Sequence, residues 1–229
     1  MDDEEKKKFI SSTFFPLAFV ALLWLIKFIE IGFETSFAKY GLLPKSFTGL
    51  PGIITSPLIH GDFSHLISNS LPLLVLGFIT FYFYRPIAFT IFSWVYIMSG
   101  VWLWAAGREM YHVGASGLVY GFVSFLFFSG ILRRDRKLML LSLFVLFFYG
   151  SMIWGIFPMR RNISWEGHLL GSLAGIITAY FYRKEGPKRE EHIWDEEDGN
   201  ENQSELENSN PSGINYFYTE KKENDEPKN

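Results

Sequence analysis

The 229-residue chain contains no cysteine. Without thiols it can form no disulfide, hold no cysteine-ligated metal and use no thiol nucleophile. Carboxylates are also scarce in its apolar stretches, and none lies in the middle of one. A channel or transporter that lines its path with buried acids would need such groups, so this class of function is disfavoured. The first apolar stretch lacks a small-residue cleavage site, and we expect a retained membrane helix there and not a cleaved signal.

Apolar and aromatic residues dominate the remaining composition, which is 48% hydrophobic and 18% aromatic with 24 phenylalanines. The polar residues concentrate in a tail, 184–229, which holds 14 acidic and 6 basic residues and a net charge of −8, against −3 for the whole chain. Such a tail buries too little apolar surface to offset its ordering entropy. We therefore predict a membrane domain at 14–183, preceded by a polar N-terminus, 1–13, and followed by an acidic disordered tail.

Long apolar runs predict the fold class. A bilayer core about 30 Å thick needs about 20 apolar residues of helix to cross it. Helices are expected because lipid-exposed backbone must satisfy its own hydrogen bonds, and these runs are too long for barrel strands. The predicted fold is an all-α membrane protein, a bundle of six transmembrane helices. The helices are predicted at 14–31, 65–84, 86–106, 116–132, 138–157 and 166–182.

Lysine and arginine residues outside the helices predict the orientation. Among those near the helix ends, twelve lie on the side that holds both termini, and five lie on the other side. Because cytoplasmic loops carry the excess of these residues, both termini are expected in the cytoplasm. The connection 32–64 then faces outward. It is too apolar for a solvated loop of its length, so we expect it to lie embedded at the membrane interface.

Small residues predict where two of the helices approach each other. Gly167, Gly171 and Gly175 recur every four residues on the last helix, and Gly117 and Gly121 do the same on the fourth. Such stripes let neighbouring backbones come close together. Generic helix packing produces the same pattern, but here each stripe carries a polar residue of catalytic type at its outer end.

Three polar residues fall at nearly one depth. Counting helical rise from the charged cytoplasmic ends puts Ser116 roughly 25 Å, Asn69 roughly 24 Å and His168 roughly 22 Å above that boundary. His65 lies about one turn higher. Polar groups at such depth are expensive and are candidates for function by default. The fourth helix is also short for a full span, so water is expected to reach Ser116.

These residues have the chemistry of acyl transfer. A serine hydroxyl needs an adjacent base, which makes Ser116 the candidate nucleophile and His168 the candidate general base, then general acid. An oxyanion needs donors, and the backbone N–H of Ser116 and the side chains of His65 and Asn69 are the candidates. Tyr120, one turn after Ser116, is expected to stack on the His168 ring and hold its orientation.

Each of these residues alone has a more ordinary explanation. Serine and glycine are common at helix interfaces, and buried histidines are more often structural. His60, His65 and Asn69 suggest a metal site, but asparagine is a poor ligand for transition metals and no cysteine assists. Other acids and histidines are expected in loops, at a helix edge or in the tail. These are Asp62, Glu109, Glu166, His112 and His192.

Taken together, the chain resembles the rhomboid family of intramembrane serine proteases over about 14–183. The matching motifs are His60-Gly-Asp-Phe-Ser-His65-Leu-Ile-Ser-Asn69, Gly114-Ala-Ser116-Gly-Leu-Val-Tyr120-Gly and Gly167-His168-Leu-Leu-Gly171-Ser-Leu-Ala-Gly175. Two features depart from the family: its common Trp-Arg pair in the first loop is absent, and Gly167 stands where many members carry alanine.

The resemblance implies a catalytic dyad of Ser116 and His168 in a six-helix core with a membrane-embedded first loop. It implies an oxyanion site that includes His65 and Asn69, with Gly114 in support, and Tyr120 packed on the His168 ring. It also implies that the loop after the fifth helix caps a water-filled cavity.

The predicted function is that of an intramembrane endopeptidase. The protein is expected to be a multi-pass protein of a bacterial inner or plasma membrane. The expected partners are single-span membrane proteins whose helices unwind easily, together with membrane lipid; no cofactor, metal or nucleic acid is implied. The alternative from another class is a non-catalytic scaffold or quality-control factor that binds client helices. The presence of both Ser116 and His168 favours the protease.

Overall fold

The computed structural model describes residues 2–148, 155–158 and 164–186. These ranges are helical, with no β-strand among them and one isolated bridge that pairs Leu42 with His112. Short 3-10 turns also occur between the first and fourth helices. The α-helices are α1 Asp3–Gly32, α2 Gly52–Thr55, α3 Phe63–Phe83, α4 Ala88–Ala106, α5 Ser116–Arg133, α6 Arg136–Phe148 and α7 Trp165–Phe181.

Within the described ranges, four helices are long and apolar enough to cross a membrane: α1, α3, α5, and α4 together with the turn before it. This pattern is typical of an integral membrane protein, as the composition predicts. Helices α6 and α7 have 13 and 17 described residues, so the prediction of six spans stays a prediction.

The ends of the predicted helices lie close to the observed ones for the second, third, fourth and sixth segments. The first helix differs, because it begins at Asp3 and not at 14. Asp2 caps it by accepting a hydrogen bond from the Glu5 amide at 2.7 Å, and the acidic first turn complements the helix dipole. Of the predicted fifth helix, 138–157, residues 149–154 lie outside the described ranges, as does the tail beyond residue 186.

Helices α5 and α7 meet backbone to backbone along the predicted glycine stripes. A Cβ atom added at Gly171 would overlap the Gly117 carbonyl oxygen, and one added at Gly175 would overlap the Gly121 carbonyl oxygen. A side chain at either position would therefore push the two helices apart. The small residues are what allow this approach.

Helices α1, α3 and α4 meet through aromatic side chains instead. The Phe15 ring lies 4.9 Å from the rings of Phe81, Phe89 and Phe92, measured between centroids. One contact is stacked and two are edge-on, the arrangements that aromatic quadrupoles prefer. This cluster joins three helices through flexible side chains.

The connection 32–64 is structured and packs on α4. It contains α2 and three 3-10 turns, and the Tyr96 hydroxyl donates to the Ile54 carbonyl oxygen. A Cβ added at Gly100 of α4 would come 2.9 Å from the Ile53 side chain. The rings of Phe33 and Phe47 are exposed, as the expectation of an interfacial loop requires.

A buried ion pair ties the end of α1 to both ends of this connection. Lys27 Nζ lies 2.7 Å from Glu30 Oε2 and donates to the carbonyl oxygens of His60 and Gly61 at 3.1 and 3.0 Å. Glu30 Oε1 accepts from the Phe37 amide at 2.7 Å. Each buried charge is thus compensated by a partner and by hydrogen bonds, the condition under which such pairs are tolerated.

Candidate active site

Ser116 and His168 lie in hydrogen-bond contact. Ser116 is the first residue of α5, His168 is in the first turns of α7, and the Oγ to Nε2 distance is 2.8 Å. The other ring nitrogen, Nδ1, lies 2.8 Å from the Gly155 carbonyl oxygen. A carbonyl only accepts, so Nδ1 carries the proton of the neutral ring and Nε2 presents its lone pair to the serine hydroxyl. This is the tautomer that a general base requires.

Gly155 is a member of the site that sequence reasoning missed. Its carbonyl holds the His168 ring, as an acid does in a three-residue triad. A Cβ added at Gly155 would overlap the Tyr120 hydroxyl and come 2.9 Å from His168 Nδ1. The position therefore needs glycine for close approach. A backbone carbonyl has no side-chain signature, and only the run Trp154-Gly155 after an apolar stretch marks the place in the sequence.

Tyr120 stacks on the His168 ring. The ring centroids are 4.2 Å apart and the planes differ by 13°. Both side chains are buried, with 5% and 9% of their surface exposed. The stack and the Gly155 bond restrict the imidazole in two directions, so its Nε2 atom stays aimed at Ser116.

Gly114 shapes the turn that leads to Ser116. Its φ is +110°, a conformation that side chains other than glycine rarely adopt. A Cβ there would also come 2.5 Å from His65 Nε2, so the imidazole of His65 lies directly on this backbone. The Gly114 amide donates to the Ser56 carbonyl oxygen at 2.8 Å, which fixes the turn to the first connection.

His65 and Asn69 stand on the first turns of α3, which begins where the Asp62 side chain accepts from the His65 amide at 2.8 Å. The structure brings the His65 ring to the Gly114 turn. Asn69 Nδ2 donates to the His65 carbonyl oxygen at 2.9 Å and keeps a second N–H proton for another acceptor. Asn69 is buried, so it faces the bundle and not the lipid.

His60 contacts the turn that contains Gly114 and Ala115. Its Nε2 accepts a hydrogen bond from the Ala115 amide at 3.3 Å, and its ring meets the His65 ring edge-on at 5.1 Å between centroids. Burial lowers the pKa of His60 to about 3, so the ring is neutral at neutral pH. In the described ranges no cluster of three histidines, cysteines or acids could hold a metal ion.

Two residues expected at a helix edge or in a loop, Glu166 and His112, are buried and make polar contacts. Glu166 is buried and pairs with Arg108 through both carboxylate oxygens. His112 is also buried and contacts Ser164. No local sequence pattern marks His112, because its role depends on a contact with a residue 52 positions away. His192 lies outside the described ranges.

A pocket opens beside Ser116. Its walls come from the first connection, α4, the turn before α5, and the starts of α5 and α7. Several of its lining residues are small. They include Ser56, Gly100, Gly114, Ser116, Gly117 and Gly167. The Ser116 hydroxyl therefore faces open space on one side and the His168 ring on the other.

Comparison with known proteins gives a consistent result. A family model described as the Rhomboid domain matches residues 48–185, a range that contains Ser116 and His168. The chain is 35% identical over 177 residues to the uncharacterized protein Rv1337 of Mycobacterium tuberculosis, a match that covers 72% of each chain. It is 34% identical over 173 residues to the uncharacterized protein ML1171 of Mycobacterium leprae, covering 72% of this chain and 68% of that relative.

Proposed function

Because this chain belongs to the rhomboid family of intramembrane proteases, we propose that it is a serine endopeptidase that cuts transmembrane segments with a Ser116–His168 dyad. The observation that carries the proposal is the contact of 2.8 Å between Ser116 Oγ and His168 Nε2, in the tautomer that Gly155 enforces. A serine hydroxyl becomes a useful nucleophile only beside such a base.

The reaction proceeds in two stages. Ser116 Oγ attacks the scissile carbonyl carbon while its proton passes to His168 Nε2. His168 then gives that proton to the leaving amine as the C–N bond breaks, which leaves an ester on Ser116. In the second stage His168 takes a proton from water, and the resulting hydroxide attacks the ester. Collapse releases the new carboxyl terminus and returns a proton to Ser116.

The negative charge on the tetrahedral intermediate needs donors. The Ser116 amide is suited to this role because N–H groups at a helix start have no partner within the helix. The His65 imidazole, packed on Gly114, and the second N–H of Asn69 are the side-chain donors that we assign to the oxyanion. The Gly155 carbonyl and the Tyr120 stack replace the acid of a triad, since they hold the imidazole and fix its tautomer.

Substrates of this enzyme are single-span membrane proteins cut near the outer boundary of the bilayer. A stable helix hides its amides, so a substrate must unwind where it is cut, and small residues, glycine or proline favour this. The chain is an integral membrane protein. We further propose six spans in a bacterial inner or plasma membrane. The excess of lysine and arginine on one side supports the proposal that both termini lie in the cytoplasm.

The test is covalent labelling of the purified protein by a serine-directed fluorophosphonate, with cleavage of a model transmembrane substrate measured in parallel. We expect labelling of the wild type and its loss in Ser116→Ala and His168→Ala, with cleavage reduced on the order of 10⁴-fold or more. Ser172→Ala, a buried serine one helical turn below His168, is the matched control and keeps labelling and cleavage. A folded wild type that neither labels nor cleaves refutes the proposal and favours the client-binding scaffold.

A further inference from the structure

Two polar contacts join the loop before α5 to the start of α7. The ring of His112 lies 2.6 Å from the Ser164 hydroxyl, measured from Nδ1 to Oγ. The guanidinium of Arg108 pairs with the carboxylate of Glu166, with Nη2 3.0 Å from Oε2. Arg108 and His112 belong to one segment, and Ser164 and Glu166 belong to the other. The contacts are therefore parallel cross-links at the outer end of the two helices that carry the dyad.

The hydrogen atoms of the first cross-link can be assigned. His112 Nε2 lies 3.1 Å from the Arg108 carbonyl oxygen, which only accepts, so Nε2 carries the ring proton. Nδ1 is then an acceptor, and the Ser164 hydroxyl donates to it. Burial lowers the pKa of His112, which keeps the ring neutral and this pattern intact at neutral pH.

Ser164 connects this bond directly to the dyad. It is the N-cap residue of α7, but its hydroxyl makes no capping bond to the helix and is used on His112 instead. Its carbonyl oxygen accepts from the His168 amide at 3.3 Å, the first bond of that helix. His168 therefore lies one turn below the residue that His112 holds.

The other side of His112 is anchored to the nucleophile and to the first connection. Its amide and carbonyl exchange hydrogen bonds with those of Leu42 at 2.8 and 2.9 Å. Two residues later the chain reaches Gly114, and two further on it reaches Ser116. A displacement of the His112 backbone would thus move the turn that carries the nucleophile.

We propose that His112 is a positioning residue, which through Ser164 holds the first turn of α7 at the level where His168 meets Ser116. The inference rests on the proposed function. Its physical reason is the kind of contact that the glycines make. At Gly171 and Gly175 backbone lies against backbone, which sets the distance between α5 and α7, whereas a directional hydrogen bond at the helix start fixes their register.

The test compares kcat, KM and the rate of fluorophosphonate labelling in the full-length protein. His112→Phe keeps a planar ring and loses both hydrogen bonds. We expect kcat and the labelling rate to fall by about 10- to 100-fold, the loss that a misplacement of the order of 1 Å produces, with KM within about twofold. Ser164→Ala removes the same hydrogen bond by deleting the donor hydroxyl, and its kcat and labelling rate should fall as well. The double variant should lose no more than the larger single loss.

Two further variants separate positioning from folding. His112→Asn offers an acceptor oxygen near the position of Nδ1 and should recover most of the rate. Tyr84→Phe removes another buried bond between helices, the 2.5 Å contact of Tyr84 with Ser129 on the inner side, and should leave kcat unchanged.

The outcomes are distinct. If the wild type is active and both His112→Phe and Ser164→Ala react at the wild-type rate, this inference alone is overturned. It is also overturned if Tyr84→Phe loses as much rate as those two variants do. If His112→Phe does not fold, Ser164→Ala decides by itself. A wild type that neither labels nor cleaves overturns the proposed function and this inference with it.

Discussion

Helices meet in two different ways in this bundle. Along α5 and α7, glycines place backbone against backbone, so that Gly171 and Gly175 have no space for a Cβ atom. Among α1, α3 and α4, the contacts are made by phenylalanine rings around Phe15. The glycine positions add no side-chain rotamers that could adjust to a change, whereas the phenylalanine rings add several.

The proposed dyad stands on the glycine contact. Ser116 and His168 need a separation near 2.8 Å to share a proton, and reaction rates fall steeply when reacting groups are displaced. Two helices in backbone contact keep their spacing, because any change requires moving a whole helix. A ring cluster tolerates changes by repacking. The closest backbone contact therefore lies where we propose the chemistry to occur, and the aromatic side chains join the other helices.

Apart from changes to Ser116 and His168 themselves, the largest effect is expected from a side chain placed in the glycine contact. In Gly171→Ala the new Cβ overlaps the Gly117 carbonyl oxygen, so α7 must move away from α5 and carry His168 with it. We expect cleavage and fluorophosphonate labelling to fall about 100-fold or more in the folded protein. The assay is the labelling rate of detergent-purified protein with circular dichroism as the test of folding.

Gly32→Ala is the matched control for this variant, since a Cβ at Gly32 meets nothing within 4 Å. It should label at the wild-type rate. Wild-type labelling by Gly171→Ala would show that the contact between α5 and α7 adapts, and the contrast with the aromatic side would be lost.

A smaller effect is expected at Gly155, whose carbonyl oxygen holds the His168 ring. Gly155→Ala would bring a Cβ against the Tyr120 hydroxyl and to 2.9 Å from His168 Nδ1. The helices themselves keep their spacing, but the imidazole loses its orientation. We expect kcat to fall about 10- to 50-fold with little change in KM, because the loss affects proton transfer and not substrate binding. Steady-state cleavage of a transmembrane substrate measures both constants. An unchanged kcat would mean that the Gly155 carbonyl does not orient the base.

The same two contacts explain how far the sequence predicts the site. Ser116, His168 and the glycine stripes were predictable because each is a polar or small residue in an apolar helix, where its type and depth both carry information. The ends of the helices follow from the same pattern. The earlier start of α1 had a signal as well, since Asp2 followed by Asp3, Glu4 and Glu5 is typical of a capped helix start.

The remaining parts of the site were not predictable because they are contacts between distant segments. The Gly155 carbonyl is a backbone group, and its role depends on where the chain after α6 comes to lie. The bond from His112 to Ser164 joins two loops 52 residues apart. The pairing of Lys27 with Glu30 is different, because opposite charges three residues apart on a helix are a local signal. The sequence could predict this ion pair, but only the structure shows that the pair is buried.

The smallest effect on catalysis is expected on the aromatic side. Phe15→Leu keeps an apolar side chain of similar volume but loses the ring contacts with Phe81, Phe89 and Phe92. Aromatic pairs contribute about 0.5–1.5 kcal/mol each beyond their buried area, so we expect the loss of three such contacts to lower the free energy of unfolding by about 1.5–4.5 kcal/mol. Because the rings that Phe15 contacts lie on α3 and α4, and not on the helices that carry Ser116 and His168, kcat and the labelling rate of the folded protein should stay within about twofold of wild type. Thermal unfolding in detergent measures the first quantity and fluorophosphonate labelling the second. A rate loss as large as that of Gly171→Ala would mean that α1, α3 and α4 control the spacing of the dyad as closely as the glycine contact does.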